Sequence, residues 1–390
     1  MVRNKRKKLI KRVKRENMLN NSNLGPIKLV PFKEIDLSDS FFDSLKSDYP
    51  GFEKWFDKKA SNDEKAFVLY NKEQKHRLDA FLYLKFENTP IDDIEPKILE
   101  GPVLKIGTFK VNPHKTRLGE RFLKIAIDTA FNNKECKGIY VTAFEKHSKL
   151  IEVFKTFGFY EWGMKPLTGE KVYYKPLEVN WNDDIKDYPI IDLTKDRKFY
   201  VLSIYPEYHT LLFPDSKLNT EDEEEFIQDV SYTNGIFKRY VGKMYGLGNI
   251  KPGDVLLIYR TKDEKAKTAK YNSVLTSMCI VIKTKNIMEF KTFEEFKNYM
   301  NVYNPLTDEE LKIYYYYYYP SGYRRHNSYI IDMLYNVPLK KRLVFKYIHG
   351  KFFPTVNIPD KYWGFYDLTK EQVLKIIEDS QTNKRYFKFK

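Results

Sequence analysis

The segment Phe109-Lys110-Val111-Asn112-Pro113-His114-Lys115-Thr116-Arg117-Leu118-Gly119-Glu120 leaves an apolar stretch, crosses a basic loop and enters a run of apolar residues at helical spacing. Residues 103–111 read as a β-strand that Pro113 ends. Leu118, Phe122, Ile125, Ala126, Thr129 and Ala130 share one face of a helix over residues 118–131. The first amides of a helix lack intrahelical acceptors, and the positive end of the helix dipole lies behind them. Lys115 and Arg117 add charge there, and Gly119 lets a ligand come close to the backbone. A pyrophosphate cradle and an ordinary strand-to-helix turn both fit these residues. In the first case the contacts come from Phe109, Val111, Lys115, Thr116, Arg117, Leu118, Gly119 and Glu120.

Outward from this segment, strands and helices alternate. Residues 27–32 form a short apolar strand, and Phe41, Phe42 and Leu45, then Phe52, Trp55 and Phe56, recur at helical spacing around the Pro50-Gly51 break. Residues 66–70 and 80–86 are β-rich runs about a polar turn, which predicts a hairpin. Downstream, residues 138–144 predict a strand, 148–157 a helix, and 158–163 with 171–175 a closing strand pair. The order predicts an α+β domain over residues 26–176, a mixed sheet with flanking helices. Residues 177–198 are polar, hold Pro189 and the Asn182-Asp183-Asp184 cluster, and read as a linker. Over residues 199–390 the strands shorten, at 199–204, 255–259, 273–282 and 342–347, with the turn Lys251-Pro252-Gly253-Asp254 between them. Helices are expected from 221–225, 293–300 and 370–379, so a β-barrel with peripheral helices fits this second domain.

A chain of 390 residues with 42% apolar composition supports two such domains without disulfides or metals. Mean hydropathy is −0.59, and no apolar run approaches the ~18 residues of a membrane span. Cys136 and Cys279 match no zinc or redox spacing, a pattern expected in the reducing cytoplasm. Of the net charge of +15, residues 1–16 contribute +8, with nine Lys or Arg against Glu16. Such a block (Arg3, Lys5, Arg6, Lys7 and Lys8 among it) lacks the apolar centre of a secretory signal. Residues 1–25 therefore read as a flexible basic arm, either a solvated tail or an attractor of RNA phosphates. The tyrosine run at 314–319 fits strand and core filling, or a binding face. Gly-x-Ser-x-Gly elbows, Walker loops and His-Glu-x-x-His motifs do not occur.

Taken with Gly138-Ile139-Tyr140-Val141-Thr142-Ala143-Phe144 and the helix ending Phe157-Gly158-Phe159, the opening segment resembles the GNAT family of acetyl-CoA-dependent N-acetyltransferases. The resemblance covers residues 29–175 and implies coenzyme A pyrophosphate at the loop before Gly119. His114 and Arg117 replace the family's first loop residue and first glycine, and Phe154 stands where many members carry a proton-donating tyrosine. His147 falls on a frequent family asparagine, and its ordinary pKa of ~6.5 suits acid or base work. Glu145, just past the strand, is a second candidate base.

Residues 199–208, with Ile250-Lys251-Pro252-Gly253-Asp254-Val255, look like the PUA-like superfamily of PUA, ASCH and EVE domains. This implies a pseudo-barrel used in RNA or modified-base recognition. Tyr323, Arg324 and Arg325 join aromatic and guanidinium planes as splayed-base recognition requires, and Arg260 is placed on the same surface. The expected function is acetyl transfer from acetyl-CoA to RNA, tRNA or an RNA-associated amine. Two alternatives stand beside it: an RNA-binding or regulatory protein that holds coenzyme A with little catalysis, and a protein or small-molecule acetyltransferase.

Overall fold

The computed structural model describes residues 24–71, 74, 77–112, 118–178, 181–213, 235–263, 268–300, 306–316, 328–352 and 364–389. Arg3, Lys5, Arg6, Lys7, Lys8, Lys115, Thr116, Arg117, Tyr323, Arg324 and Arg325 lie outside them, as does the acidic stretch at 221–225.

In chain order the first unit consists of β1 (Leu24–Pro31), α1 (Asp43–Asp48), α2 (Phe52–Ser61), β2 (Lys65–Asn71), β3 (Leu78–Glu87) and β4 (Val103–Val111). It continues with α3 (Leu118–Asn132), β5 (Gly138–Ala143), α4 (Ser148–Thr156), β6 (Tyr160–Lys165) and β7 (Glu170–Pro176). The strands form one sheet in the order β1-β2-β3-β4-β5-β7-β6. Neighbours are antiparallel except β4 and β5, which α3 connects as a parallel pair. Alternation along the strands explains the two layers. Leu104, Ile106, Ile139 and Val141 face α3 and α4, whereas Val68, Phe81 and Tyr83 face Phe42 and Phe56 beside α1 and α2.

The second unit holds β8 (Ile191–Asp192), β9 (Phe199–Ile204), α5 (Pro206–Leu212), β10 (Phe237–Gly242), β11 (Val255–Arg260), β12 (Val274–Asn286), α6 (Phe293–Met300) and α7 (Asp308–Tyr315). After them come β13 (Tyr329–Val344), α8 (Phe345–Phe352), β14 (Phe365–Leu368), α9 (Lys370–Asp379) and β15 (Phe387–Lys388). Its main sheet runs β10-β13-β12-β11-β9-β14. Register shifts bend the β12–β13 pair, but the end strands β10 and β14 do not pair with each other among the described residues. The barrel-like sheet is open. It is apolar on both faces, since Phe199 and Val201 enter one core while Tyr200, Leu202 and Ile204 enter the other.

Residues 177–198 are themselves folded. Tyr188 is buried and donates its hydroxyl to Tyr335 O at 3.0 Å. The Asp187 carboxylate accepts from the Trp181 amide at 2.6 Å and the Asp183 amide at 3.2 Å. Where residues 342–347 predict a strand, β13 ends at Val344 and α8 begins at Phe345.

One buried amine ties three segments together. Gly158 has φ +84°, and a Cβ there would stand 2.3 Å from Lys186 O, so glycine is required on both counts. Beside it Lys175 Nζ donates to Phe157 O at 2.8 Å and Lys186 O at 2.7 Å. Burial pushes this amine down to about 7, against the opposing pull of the Asp187 charge. A neutral amine carries two N–H donors, which matches its two acceptors. The unfolded chain keeps the proton up to the ordinary lysine value of 10.5, so stability from this group rises with pH above about 7 and is reduced below it. We expect the denaturant midpoint to climb between about pH 6.5 and pH 9. Lys175→Met is expected to remove that part of the climb, and equal slopes in the two proteins would contradict the assignment.

Candidate active site

Strands β4 and β5 pair from Val103↔Gly138 to Ile106↔Val141 and then part. β3 holds the other edge of β4 all the way to Val111. The Asn112 amide donates to Asp79 O at 2.8 Å. In an antiparallel pair the hydrogen-bonding direction alternates, so Lys110 also faces β3 while the backbone groups of Phe109 and Val111 face the gap. The gap leads to the first turn of α3. Among the described residues a Cβ on Gly119 would meet Val111 Cγ2 alone, at 3.9 Å, an ordinary van der Waals contact.

The side chains of this segment do not all turn toward the gap. Phe109 is buried edge-on against Phe154, with ring centroids 5.6 Å apart. Leu118 is in the core beneath the sheet. Glu120 is buried, and its Oε1 accepts the Phe237 amide proton of β10 at 2.9 Å. The side chains of Leu118 and Glu120, two of the expected ligand contacts, are thus turned into the protein. Helical periodicity gives the reason: Glu120 and Lys124 lie one turn apart on the stripe that the second unit covers.

A polar cluster gathers on the opposite face, at the C-terminal end of β5. Val141 and Ala143 enter the α3–α4 core, so Thr142 points to the α1–α2 side. Its hydroxyl donates to Glu170 Oε1 at 3.0 Å, and Thr168 donates to Glu170 Oε2 at 2.8 Å. Burial, with the neighbouring Glu170 and Asp48 charges, pushes the Tyr49 hydroxyl well above the usual phenol range and keeps it protonated. His147 Nε2 lies 3.3 Å from Asp48 Oδ2, and Lys146 binds the other oxygen of that carboxylate. Glu145 is 78% exposed, with Lys171 Nζ at 3.8 Å.

The structure thus brings His147 to a carboxylate and leaves Glu145 in solvent. Sequence reasoning missed Asp48, Tyr49, Thr142 and Glu170. The legible signal for Glu170 is its parity with Val172 and Tyr174, a carboxylate on the buried face of a strand. In the second unit Arg260 is only 1% exposed and paired with Asp263 at 3.1 Å, so its placement on an RNA-facing surface is corrected to the interior. Of the tyrosine run, Tyr315 fills a core and Tyr316 is half-exposed. Among the described residues no helix is long and apolar enough to cross a membrane.

No family model and no curated protein matches the chain. Solved structures similar to it include a mutant of ZmASCH from Zymomonas mobilis, at 12% identity and TM-score 0.29 over 48% of this chain and 99% of that one. NAA60 of Arabidopsis thaliana in complex with a bisubstrate analogue matches at 14% identity and TM-score 0.28, over 38% and 95%. The N-acetyltransferase PseH of Campylobacter jejuni matches at 18% identity and TM-score 0.25, over 38% and 96%. These neighbours thus include an ASCH protein and an N-acetyltransferase.

Proposed function

We propose that the chain is an acetyl-CoA-dependent N-acetyltransferase acting on RNA, tRNA or an RNA-associated amine, with the second unit recognising the nucleic acid. The observation that carries this reading is the gap between β4 and β5. Its backbone edge at Phe109 and Val111 can pair with an extended amide-bearing ligand in the manner of an added strand. At its end the first turn of α3 carries Gly119, which the described residues around it leave room to approach. Such a donor set fits a pantetheine arm followed by a pyrophosphate. When bound, acetyl-CoA supplies the acetyl thioester. We expect Gly119→Val to weaken acetyl-CoA binding at least about tenfold in calorimetry. Unchanged affinity in a folded variant would overturn the site.

Proton handling falls to the far side of the sheet. Glu170 and Tyr49 form the polar end that receives the amine, and His147, oriented by Asp48, carries its proton. A thiol of ordinary pKa ~8.5 departs without a dedicated acid, which accommodates Phe154. His147→Ala is expected to lower turnover by about 10²–10⁴ while acetyl-CoA affinity stays within twofold. Full turnover in that variant would remove His147 from the reaction.

A second reading draws on Phe154, which is fully buried between Phe109 and Phe159 and has no proton to give. In this reading the first unit holds coenzyme A and turns over little. Free-thiol release from acetyl-CoA in the presence of cellular RNA, protein or small amines separates the two readings and identifies the acceptor class. For the nucleic-acid role, removing residues 1–16 takes away +8 of the +15 charge. The slope of RNA affinity against salt is then expected to flatten, because fewer counterions are released. An unchanged slope would make the arm a bystander.

A further inference from the structure

Helix α3 carries the proposed phosphate site at its first turn, yet the second unit grips its side chains. Glu120 Oε1 accepts the Phe237 amide proton at 2.9 Å. The chain at Gly235 passes so close that a Cβ there would stand 3.1 Å from the same oxygen. One turn on, the Lys124 ammonium lies 5.4 Å from the Tyr335 ring centroid. At the other end Arg385 donates to Asn133 O at 2.5 Å and to Cys136 O, and Tyr386 stacks on Phe131 at 5.4 Å.

A carboxylate in the first turn of an anion-binding helix is electrostatically opposed to its ligand. A glutamate at this position is accounted for by the contact it makes with β10. We infer that Glu120 is a positioning residue through which residues 235–237 of the second unit set the aim of the α3 amides, so that coenzyme affinity depends on a contact outside the cofactor site. The inference rests on the proposed cofactor site. Its physical basis is the steep angular dependence of N–H···O bonds, several of which converge on one anion. The carboxylate is the acceptor, so a side-chain amide oxygen at the same place serves equally.

The test uses the full-length protein and acetyl-CoA titrated by calorimetry. Glu120→Ala is expected to weaken binding at least fivefold. Glu120→Gln, whose oxygen still accepts from Phe237, is expected to bind within twofold of the parent or more tightly, since a negative charge is gone. Gly235→Val, a change in the second unit, is expected to behave like Glu120→Ala. Hydrogen exchange at the Phe237 amide is expected to slow on addition of acetyl-CoA in the parent and not in Glu120→Ala. A merely structural role would lower the melting temperature of these variants and leave affinity in the folded state alone. Parental affinity in folded Glu120→Ala and Gly235→Val overturns the inference. If Glu120→Ala does not fold, the milder Gly235→Ala carries the same expectation. Absence of acetyl-CoA binding in the parent would instead bring down the cofactor site, and this inference with it.

Discussion

Ten of the fifteen residues of α3 are buried, and burial on that scale requires cover on two sides. A helix lying on a sheet hides one stripe and leaves the rest to water. Here Phe122, Ile125 and Ala126 belong to the core, while Glu120 and Lys124 sit under β10 and β13. The cover makes one continuous apolar cluster from Leu104 and Ile139 in the first unit to Leu334 and Ile376 in the second. Most of the architecture follows from satisfying this helix, including the folded state of the segment that joins the units.

The gap between β4 and β5 depends on the same packing. Strands that part expose backbone donors and acceptors, and each such group needs a partner or water. Rigid neighbours keep the opening from closing: β3 along β4, β7 along β5, and the Phe109, Phe154 and Phe159 rings beneath. Phe154 is therefore a brace. Replacing it with a smaller side chain would loosen the floor of the gap.

Much of the first unit is legible in the sequence because its signals are local. The strand at 103–111, the helix beginning at Leu118 and the pair at 66–70 and 80–86 all emerge near their expected limits. In the second unit Phe293–Met300 and Lys370–Asp379 also stand where periodicity places them. The sixteen-residue β13 is not legible, because Pro338 lies within it and reads as a break. In the sheet Pro338 sits opposite Ser277, where the register shifts, a place that tolerates a missing donor. Candidate site residues divide in the same way. His147 and Gly119 declare themselves through neighbours in sequence, whereas Asp48 and Glu170 act on the same Tyr49 hydroxyl only because α1 and the β6–β7 hairpin fold to the same end of the sheet. Arg260 fails as a surface residue because charge alone does not reveal depth, and its partner Asp263 lies just beyond the strand.

Arg385 also sets a schedule. The carbonyls it satisfies at the end of α3 belong to residues made about 250 positions earlier in the chain. At ~5–20 residues per second, a ribosome needs roughly 10–50 seconds to travel that distance. Until Arg385 emerges, the carbonyls of Ala130, Asn133 and Cys136 lack the side-chain donor that holds them in the folded protein. The fastening of this helix end is thus among the last contacts that synthesis makes available, long after β10 and β13 can cover its side chains.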